Sequence, residues 1–406
     1  MDESRVDQVS LLGVFFGIGS LALGFMQVRM NRIATGVPYP LWRAASPVLL
    51  VTFVLLLLVA LLLAARVDAR LTAAKALTPY TVALLLGLAG NLILVFPFAA
   101  AGLSVTRLMP PDAPYARVGL GPGSWLAALS GYILVLSSLK GLPGRRDARI
   151  AIASLAAVLM VALASTGLFD RLSLVQEWMA RKDRFFSQLG YHIVLSLSVT
   201  AVATVVGAPL GVWAHRRKAS ERSIFGAVGA LQTIPSLALF GLLIAPLAFL
   251  SHRFPALAEI GISGVGTAPA FIALTLYALL PIVRNTYIGL KVVDRSIVEA
   301  GRGMGMAKGQ LFVSVELPLA LPVVMSGIRT SLVQAIGNTT VAALIGAGGL
   351  GVFIFQGLGQ AAPDLILVGT IPIIALAVIT DRLMAALIRA ITPKGLAPAA
   401  IGALGQ

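Results

Sequence analysis

Cysteine is absent from this chain of 406 residues, and charged residues make up only 12% of it. Without cysteine there is no disulfide framework, no thiol chemistry and no cysteine-ligated metal site. The low charge accompanies a hydrophobic content of 58% and a mean hydropathy of +0.94. Soluble domains do not have this composition, so the sequence predicts a protein that crosses the membrane many times.

Motifs of several enzyme classes are also missing. No lysine follows a glycine, which excludes the Gly-Lys pair of a phosphate-binding P-loop, and no Gly-x-Ser-x-Gly nucleophile elbow occurs. The histidines His192, His215 and His252 are far apart and share no ligand spacing, so we interpret them as residues at span ends and not as metal ligands. The sequence therefore predicts no cofactor, no metal site and no catalytic residue.

Long apolar runs dominate what is present. A membrane helix needs about 20 apolar residues, and ten runs approach that length between charged or Pro/Gly-rich breaks. They cover approximately residues 11–28, 47–65, 81–103, 119–139, 150–168, 190–214, 224–250, 267–290, 319–345 and 365–388. The predicted fold class is all-α, a polytopic membrane protein of about ten transmembrane helices.

The net charge of +15 comes from short basic clusters between the apolar runs, which indicates cytoplasmic loops and no nucleic-acid partner. Clusters follow the second, fourth, sixth, eighth and tenth runs, and one topology with both termini inside satisfies all five. They contain Arg66, Arg70 and Lys75; Lys140, Arg145, Arg146 and Arg149; Arg216, Arg217, Lys218 and Arg222; Lys291, Arg295, Arg302 and Lys308; and Arg389 and Lys394. The loop with Arg29, Arg32 and Arg43 disagrees, because this topology places it outside.

A segment of mixed charge, residues 170–189, separates the first five runs from the last five. Its apolar residues recur at steps of three and four, which predicts an amphipathic helix on the outer face. That helix either caps the bundle as a connection or makes a contact, and both interpretations stay open. The predicted domains are an N-terminal transmembrane extension (1–169), this linker helix (170–189), a core (190–391) and a cytoplasmic tail (392–406).

Acidic residues are nearly absent from the apolar runs. Of the 16 Asp and Glu residues, only Asp381 falls inside a run, and its neighbour Arg382 is the expected partner of an ion pair near the helix end. Carboxylates retained in the membrane usually mark ion or proton coupling, so an ion-coupled carrier is disfavoured. Sodium sites made of backbone carbonyls would escape this test.

A polar, glycine-rich hairpin within residues 294–318 interrupts the second half of the chain. Ser296 and Glu299 have the spacing of a capping box, in which each side chain satisfies a backbone amide at a helix start. Gly303 and Gly305 are expected to end that short helix and to permit a sharp turn close to a partner. Glu299 therefore serves either as a cap alone or as a cap that also contacts a partner.

The string Glu299, Ala300, Gly301, Gly305, Leu317 and Pro318 resembles the cytoplasmic coupling loop of ATP-binding-cassette (ABC) importer permeases. Segments 232–240, 276–287 and 343–351 resemble signature stretches of permeases that import quaternary-amine osmoprotectants such as glycine betaine. With the loop they span about residues 190–391. Segments 31–36 and 170–174 resemble the variety with an N-terminal multi-span extension. At Gly301 the family often has alanine or serine, which are also small.

This resemblance implies a five-span type I permease domain at the C-terminus, in a bacterial inner membrane. It implies separate ATPase subunits that dock on the coupling-loop residues, an extracytoplasmic substrate-binding protein, and a second permease that is identical or a shorter sister. The chain itself is then a transporter subunit and not an enzyme.

Polar residues inside the predicted spans have two interpretations. Pro235 and Pro281 interrupt helices and leave carbonyls that neighbours, water or a cavity wall must satisfy. Interhelical hydrogen bonding is the commonest use of polar side chains at membrane depth, but as a converging set they would line a substrate path. The set comprises Gln232, Ser236, Asn338, Thr339 and Thr340, with Pro235 beside them. Gly346, Gly348, Gly349 and Gly351 predict a tight external turn or close helix packing, with a gate as the alternative.

Two other classes remain as alternatives to the importer. A secondary carrier for a small solute would need intramembrane carboxylates, which are scarce here. An integral-membrane enzyme acting on lipid precursors would need a polar catalytic cluster at a membrane face, and the sequence shows none. The identity of the substrate stays open, because in the resembled family the binding protein mainly selects it.

Overall fold

The computed structural model describes residues 7–32, 34–66, 78–109, 112 and 115–393. Arg70, Lys75 and Lys394 of the predicted basic clusters, and residues 394–406 of the predicted tail, lie outside these ranges. The chain divides into two compact units. The first comprises Met1–Ala180 with Gln360–Asp364, and the second comprises Arg181–Gly359 with Leu365–Gln406.

The first unit combines helices with a small sheet. Its elements are α1 (Gln8–Leu21), β1 (Met26–Arg29), β2 (Val37–Tyr39), α2 (Leu41–Ala44), α3 (Pro47–Arg66), α4 (Pro79–Leu108), β3 (Arg117–Leu120), α5 (Pro122–Lys140), α6 (Arg146–Ser165) and α7 (Ser173–Met179). The second unit is helical in its described part. It contains α8 (Lys182–Arg216), α9 (Lys218–Thr233), α10 (Ser236–Arg253), α11 (Pro255–Glu259), α12 (Thr267–Lys291), α13 (Arg295–Gly303), α14 (Lys308–Leu311), a π-helical turn (Phe312–Glu316), α15 (Leu317–Ala342), a 3-10 turn (Ala343–Ile345), α16 (Gly351–Gly359) and α17 (Pro363–Ile391).

Within the described ranges, nine helices are long and apolar enough to span a membrane, and α1 is a shorter apolar helix of 14 residues. The predicted first span, 11–28, is therefore too long. The chain leaves the helix after Leu21 because Phe25 donates its backbone N–H to the Tyr39 carbonyl (2.8 Å) and Met26 begins β1. An apolar run alone does not distinguish a short helix followed by a buried strand from one continuous span.

The sheet joins three loops of the first unit at one end. Strand β1 pairs antiparallel with both β2 and β3, so Met26 lies opposite Tyr39 on one side and Leu120 on the other. A further bridge links Val118 to Leu172, beyond α6. The loops that follow α1, α4 and α6 therefore share one end of this unit, as the alternating topology requires.

Aromatic packing and close helix contacts form the core of the first unit. Phe53 stacks on Phe96 with ring centroids 4.7 Å apart, and Phe25 meets Phe53 edge-on at 5.8 Å. Helices α4 and α5 approach so closely that a Cβ added to Gly131 would lie 2.3 Å from the Leu94 amide nitrogen. Small residues permit such contacts in membranes, where packing replaces the hydrophobic effect between helices.

Two predicted helices of the linker and core are divided. The segment 170–189 is not one amphipathic helix, because α7 ends at Met179 and α8 begins at Lys182, with Arg181 outside helical geometry. The predicted span 224–250 is likewise split into α9 and α10 at Ile234 and Pro235, whose extended backbone stops the helix.

Candidate coupling loop and transport path

Helix α13 in the 294–318 loop is capped by a residue that the capping-box prediction did not use. Asp294 is the N-cap, and its Oδ1 accepts the Ser296 backbone N–H at 2.9 Å. Ser296 lies inside the helix and Glu299 is two residues beyond the N3 position, so the capping-box assignment of both residues was wrong. Two residues with side chains suited to capping are close together here, and the earlier one starts the helix. The bond from the Ser296 amide lowers the pKa of the Asp294 carboxyl below its usual range.

The other end of α13 confirms the predicted helix end and sharp turn at Gly305. Gly305 has φ +80°, and its N–H donates to the Arg302 carbonyl at 2.9 Å. The Met306 N–H reaches back to the Gly301 carbonyl at 3.2 Å. These two bonds form a Schellman motif, which satisfies the last carbonyls of the helix and needs a left-handed residue at Gly305.

Most of the 294–318 loop is exposed, including Glu299 and Ala300. Gly301 is buried instead, and an added Cβ there would lie 2.5 Å from the Leu311 Cδ1 atom. Exposed apolar side chains accompany the charges, with Ile297 43%, Met304 72% and Val313 61% exposed. The loop therefore presents apolar as well as charged side chains to the solvent.

The return of the loop to the membrane is anchored by a buried carboxylate that the sequence analysis missed. Glu316 pairs with Arg216 at the end of α8, with 2.5 Å between Oε2 and Nη2. The Arg216 guanidinium also lies 5.4 Å from the ring centre of Phe312. Both loop residues belong to the π-helical turn that precedes Leu317 and Pro318, and π turns occur frequently at functional sites.

The end of α12 nearest the loop also makes a hydrogen bond to a carboxylate, a ring–ring contact and a cation–ring contact. The Tyr287 hydroxyl donates to Glu221 Oε1 at 2.8 Å, and the ring meets that of Phe225 edge-on at 5.3 Å. The Lys291 ammonium lies 5.4 Å from the centre of the Tyr287 ring. Helices α9 and α12 are thus tied together beside the 294–318 loop.

Three of the predicted path residues lie where α9 breaks into α10. Gln232 and Pro235 are exposed, and Ser236 is half-buried. The Gln232 amide donates to the Tyr277 carbonyl at 3.0 Å, and the Tyr277 hydroxyl donates in return to the Ile234 carbonyl. The break freed this carbonyl, and a side chain of α12 satisfies it, as membrane burial requires.

The other three path residues lie near the end of α15. Thr339 is fully buried, and its hydroxyl donates to the Ala335 carbonyl at 2.7 Å and lies 3.1 Å from the Ser196 hydroxyl. Asn338 and Thr340 are half-buried. Among the described residues, no hydrogen bond joins this group to the one at the α9–α10 break.

The glycine-rich segment after α15 confirms the predicted tight turn. Gly346, Gly348 and Gly349 all have φ near +80°. The Gly349 N–H donates to Gln188 Oε1 at 2.6 Å. A Cβ added to Gly351 would overlap the Thr340 carbonyl oxygen at 2.0 Å, so close packing applies there as well.

His192 holds this turn and is not at a span end as predicted. It lies inside α8 and is fully buried. Its Nδ1 accepts the Leu350 N–H at 3.3 Å, and its Nε2 lies 2.9 Å from the Ile336 carbonyl. The two partners assign a neutral ring with the proton on Nε2. His215 and His252 do lie at the ends of α8 and α10.

Asp381 has a different partner from the one predicted. Both of its oxygens accept from Arg329 on α15, at 2.7 Å from Nε and 2.8 Å from Nη2. Arg382 follows Asp381 on the same helix and points to a different side, whereas α15 presents the planar guanidinium for a two-bond contact. Arg329 on α15 thus neutralises the negative charge of Asp381 on α17 inside the predicted span.

Comparison with known proteins assigns both halves of the chain. Residues 203–393 match the family described as binding-protein-dependent transport system inner membrane component. Residues 4–175 match the N-terminal domain of the ABC transporter permease YehY. The chain belongs to the binding-protein-dependent ABC importer permeases.

Particular relatives match the second half. The chain is 43% identical over 215 residues to the carnitine transport permease protein OpuCB of Listeria monocytogenes, a match covering 53% of this chain and 91% of the relative. It is 42% identical over 207 residues (51% and 88%) to the glycine betaine/carnitine/choline transport system permease protein OpuCB of Bacillus subtilis. It is 40% identical over 205 residues (50% and 90%) to the osmoprotectant import permease protein OsmW of Salmonella typhimurium.

Membership of this family defines the class of activity. The chain is a multi-span inner-membrane transporter subunit and not an enzyme. Permeases of this family work with ATPase subunits that hydrolyse ATP, a substrate-binding protein and a partner permease.

Proposed function

We propose that this chain is the permease of an importer for a small quaternary-amine osmoprotectant, with glycine betaine, carnitine and choline as candidates. The observation that carries the proposal is an identity of 40–43% across the core to relatives named for these compounds. The same core contains the three signature segments identified in the sequence, which makes the assignment more specific than permease class alone.

The 294–318 loop is proposed as the docking site of the ATPase subunits. Its support is a short helix with both ends closed by hydrogen bonds, exposed Glu299 and Ala300, and apolar side chains such as Met304 in solvent. The Glu316–Arg216 pair attaches the loop to α8. A docking force applied to α13 would therefore reach a membrane helix through rigid contacts.

The substrate path is proposed to run beside the α9–α10 break. Gln232, Pro235 and Ser236 are at least partly exposed there, although the chain is apolar around them. Asn338 and Thr340 retain partial exposure near the end of α15. Thr339 is buried with its hydroxyl bonded to Ala335 and close to Ser196, so its part is helix packing and not direct contact with a substrate.

Both termini and the 294–318 loop are proposed to be cytoplasmic. The five basic clusters support this orientation. Two of the three arginines of the dissenting loop contact carboxylates: Arg32 pairs with Glu177 at 2.7 Å, and Arg29 lies 3.5 Å from Asp364. Five basic clusters against this one loop favour the orientation.

Each predicted domain is proposed to have a separate role. Residues 1–169 are proposed to tune assembly or regulation, residues 170–189 to link, and residues 190–391 to transport. The extension has no coupling loop of its own, which supports this division. Uptake by a chain that begins at Asp170 tests it, and complete loss of transport by a stable, partner-bound truncate would contradict it.

Co-purification followed by uptake tests the proposed function. The tagged full chain is purified from its host, co-purifying proteins are identified by mass spectrometry, and the complex is reconstituted in vesicles with its binding protein. We expect an associated ATPase and ATP-dependent uptake of labelled glycine betaine, carnitine or choline. Uptake driven by an ion gradient without ATP would instead support a secondary carrier.

A further inference from the structure

A polar pocket lies in the first unit, beside the end of the sheet. Its volume is about 300 Å³, at the lower limit of small-molecule sites. The loops that follow α1, α4 and α6 contribute its walls. Its polar side chains all carry hydrogen-bond donors, and they belong to Asn31, Arg32, Tyr115, Arg117 and Gln176.

Two of these side chains converge on a single carboxylate oxygen. Glu177 Oε1 accepts from Arg32 Nε at 2.7 Å and from Arg117 Nη1 at 2.5 Å, and the Glu177 side chain is almost completely buried. In the neighbouring pair, the opposite charges of Arg29 and Asp364 cancel each other. Two arginines and one glutamate therefore leave one positive charge at the pocket wall.

One of the arginines has an unsatisfied group. Arg32 Nη2 is buried and has no hydrogen-bond partner among the residues that the structure describes. A buried guanidinium nitrogen without an acceptor is uncommon, because desolvation without a compensating bond is unfavourable. The nitrogen itself has almost no accessible surface, but Arg32 lines the pocket, so a small shift of its side chain would bring this nitrogen to an acceptor bound there.

We propose that this pocket binds a small monocarboxylate. The carboxylate would accept from Arg32 and Arg117 in the planar geometry that guanidinium groups favour. Its single negative charge matches the one unbalanced positive charge, whereas a phosphate dianion would exceed it. The volume limits the ligand to a compact molecule. All of its lining residues belong to the N-terminal unit.

Binding to the purified full chain in lipid nanodiscs tests the site, with acetate as the primary probe. Saturation-transfer NMR and calorimetry measure its affinity, and glycine betaine, choline and inorganic phosphate are added as competitors. We expect glycine betaine, which has a carboxylate, to displace acetate and choline to leave it bound. Displacement of acetate by phosphate at lower concentration than by glycine betaine would overturn the carboxylate assignment in favour of phosphate.

Charge variants separate a binding role from a structural one. Arg117→Gln should weaken acetate binding by about tenfold or more, since a charge-assisted bond is lost. Arg43→Gln is the matched control, because Arg43 is an exposed arginine of the same loops outside the pocket. The Arg43→Gln protein should bind acetate with the same affinity as the unmodified chain.

The Glu177→Gln variant distinguishes a loss of the binding site from a misfolded protein, because it is expected to gain affinity. The glutamine oxygen still accepts hydrogen bonds, but the competing negative charge is gone, so acetate should bind several-fold more tightly. A damaged protein would not gain affinity. Unchanged or weaker binding by a folded Glu177→Gln protein, or unchanged binding by Arg117→Gln, would overturn the proposal.

Discussion

At the scale of single residues, the Arg216–Glu316 pair is the contact that most directly ties the 294–318 loop to the membrane helices. Glu316 is nearly buried, while the Arg216 side chain is 40% exposed. The glutamate therefore depends on its partner more than the arginine does, because only the glutamate is largely removed from water.

Breaking this pair should impair coupling. We expect Glu316→Gln to reduce ATPase capture and uptake, and the exchanged double variant Arg216→Glu with Glu316→Arg to recover part of both. A double-mutant cycle on thermal unfolding should give a coupling energy of about 1–2 kcal/mol, moderated by the exposure of Arg216. Arg217→Gln, at an exposed neighbouring position, is the control. No recovery in the exchanged variant would show that the charges do not act as a pair.

Substitutions at Gly303 and Gly305 distinguish an effect on backbone geometry from an effect on ATPase docking. Gly305 has φ +80°, so Gly305→Leu would strain the Schellman turn by about 1–2 kcal/mol, whereas asparagine tolerates this conformation. Gly303 is helical with nothing within 4 Å of an added Cβ. We expect Gly303→Leu to insert normally but to lose ATPase binding, and Gly305→Asn to keep it.

A pull-down with the ATPase subunit distinguishes these outcomes, with membrane insertion measured in the same samples. If Gly303→Leu bound the ATPase as well as the unmodified chain does, the exposed face of α13 would not be the docking surface.

At the scale of elements, His192 links three parts of the second unit through two hydrogen bonds. It joins α8 to the Ile336 carbonyl of α15 and to the glycine turn before α16. His192→Leu should lower the free energy of unfolding by about 1–3 kcal/mol, because it leaves the buried Leu350 N–H without its acceptor. A glutamine at position 192 can still donate to the Ile336 carbonyl, so His192→Gln should lower the free energy of unfolding by less than His192→Leu does. Equal melting temperatures for the two variants, measured in nanodiscs, would contradict this assignment.

The sheet is the element that organises the first unit. It collects the loops after α1, α4 and α6 and brings Arg32 and Arg117 to the same carboxylate. Strand β1 also explains why α1 is short, since the residues that would extend the helix pair with β2 and β3.

At the scale of the whole molecule, the orientation can be tested directly because the chain has no cysteine. Single cysteines at Arg146 and Arg217 should react with an impermeant thiol reagent only after lysis, and those at Thr166 and Arg171 should react in intact cells. All four positions are exposed, whereas Ser173 of the same outer loop is buried and unsuitable. Labelling of position 146 or 217 in intact cells would contradict the cytoplasmic placement of the basic clusters.

The sequence by itself determined the membrane class, most of the spans, the ABC permease family and the glycine-ended helix of the 294–318 loop. These features are local: apolar runs, basic flanks and a motif of twenty residues can be recognised without knowing which distant residues they meet. Gly305 was predictable for the same reason, since a helix end and its left-handed residue lie within one turn of chain.

Only the tertiary structure decided the partners of buried polar groups. Asp381 pairs with Arg329, 52 residues away, Glu316 with Arg216, 100 residues away, and Arg32 with Glu177, 145 residues away. No periodicity connects such pairs, and each depends on which helices pack together and at what depth. The placement of His192 and the sheet that shortens α1 have the same origin, because burial and strand pairing depend on the whole fold and not on neighbouring residues.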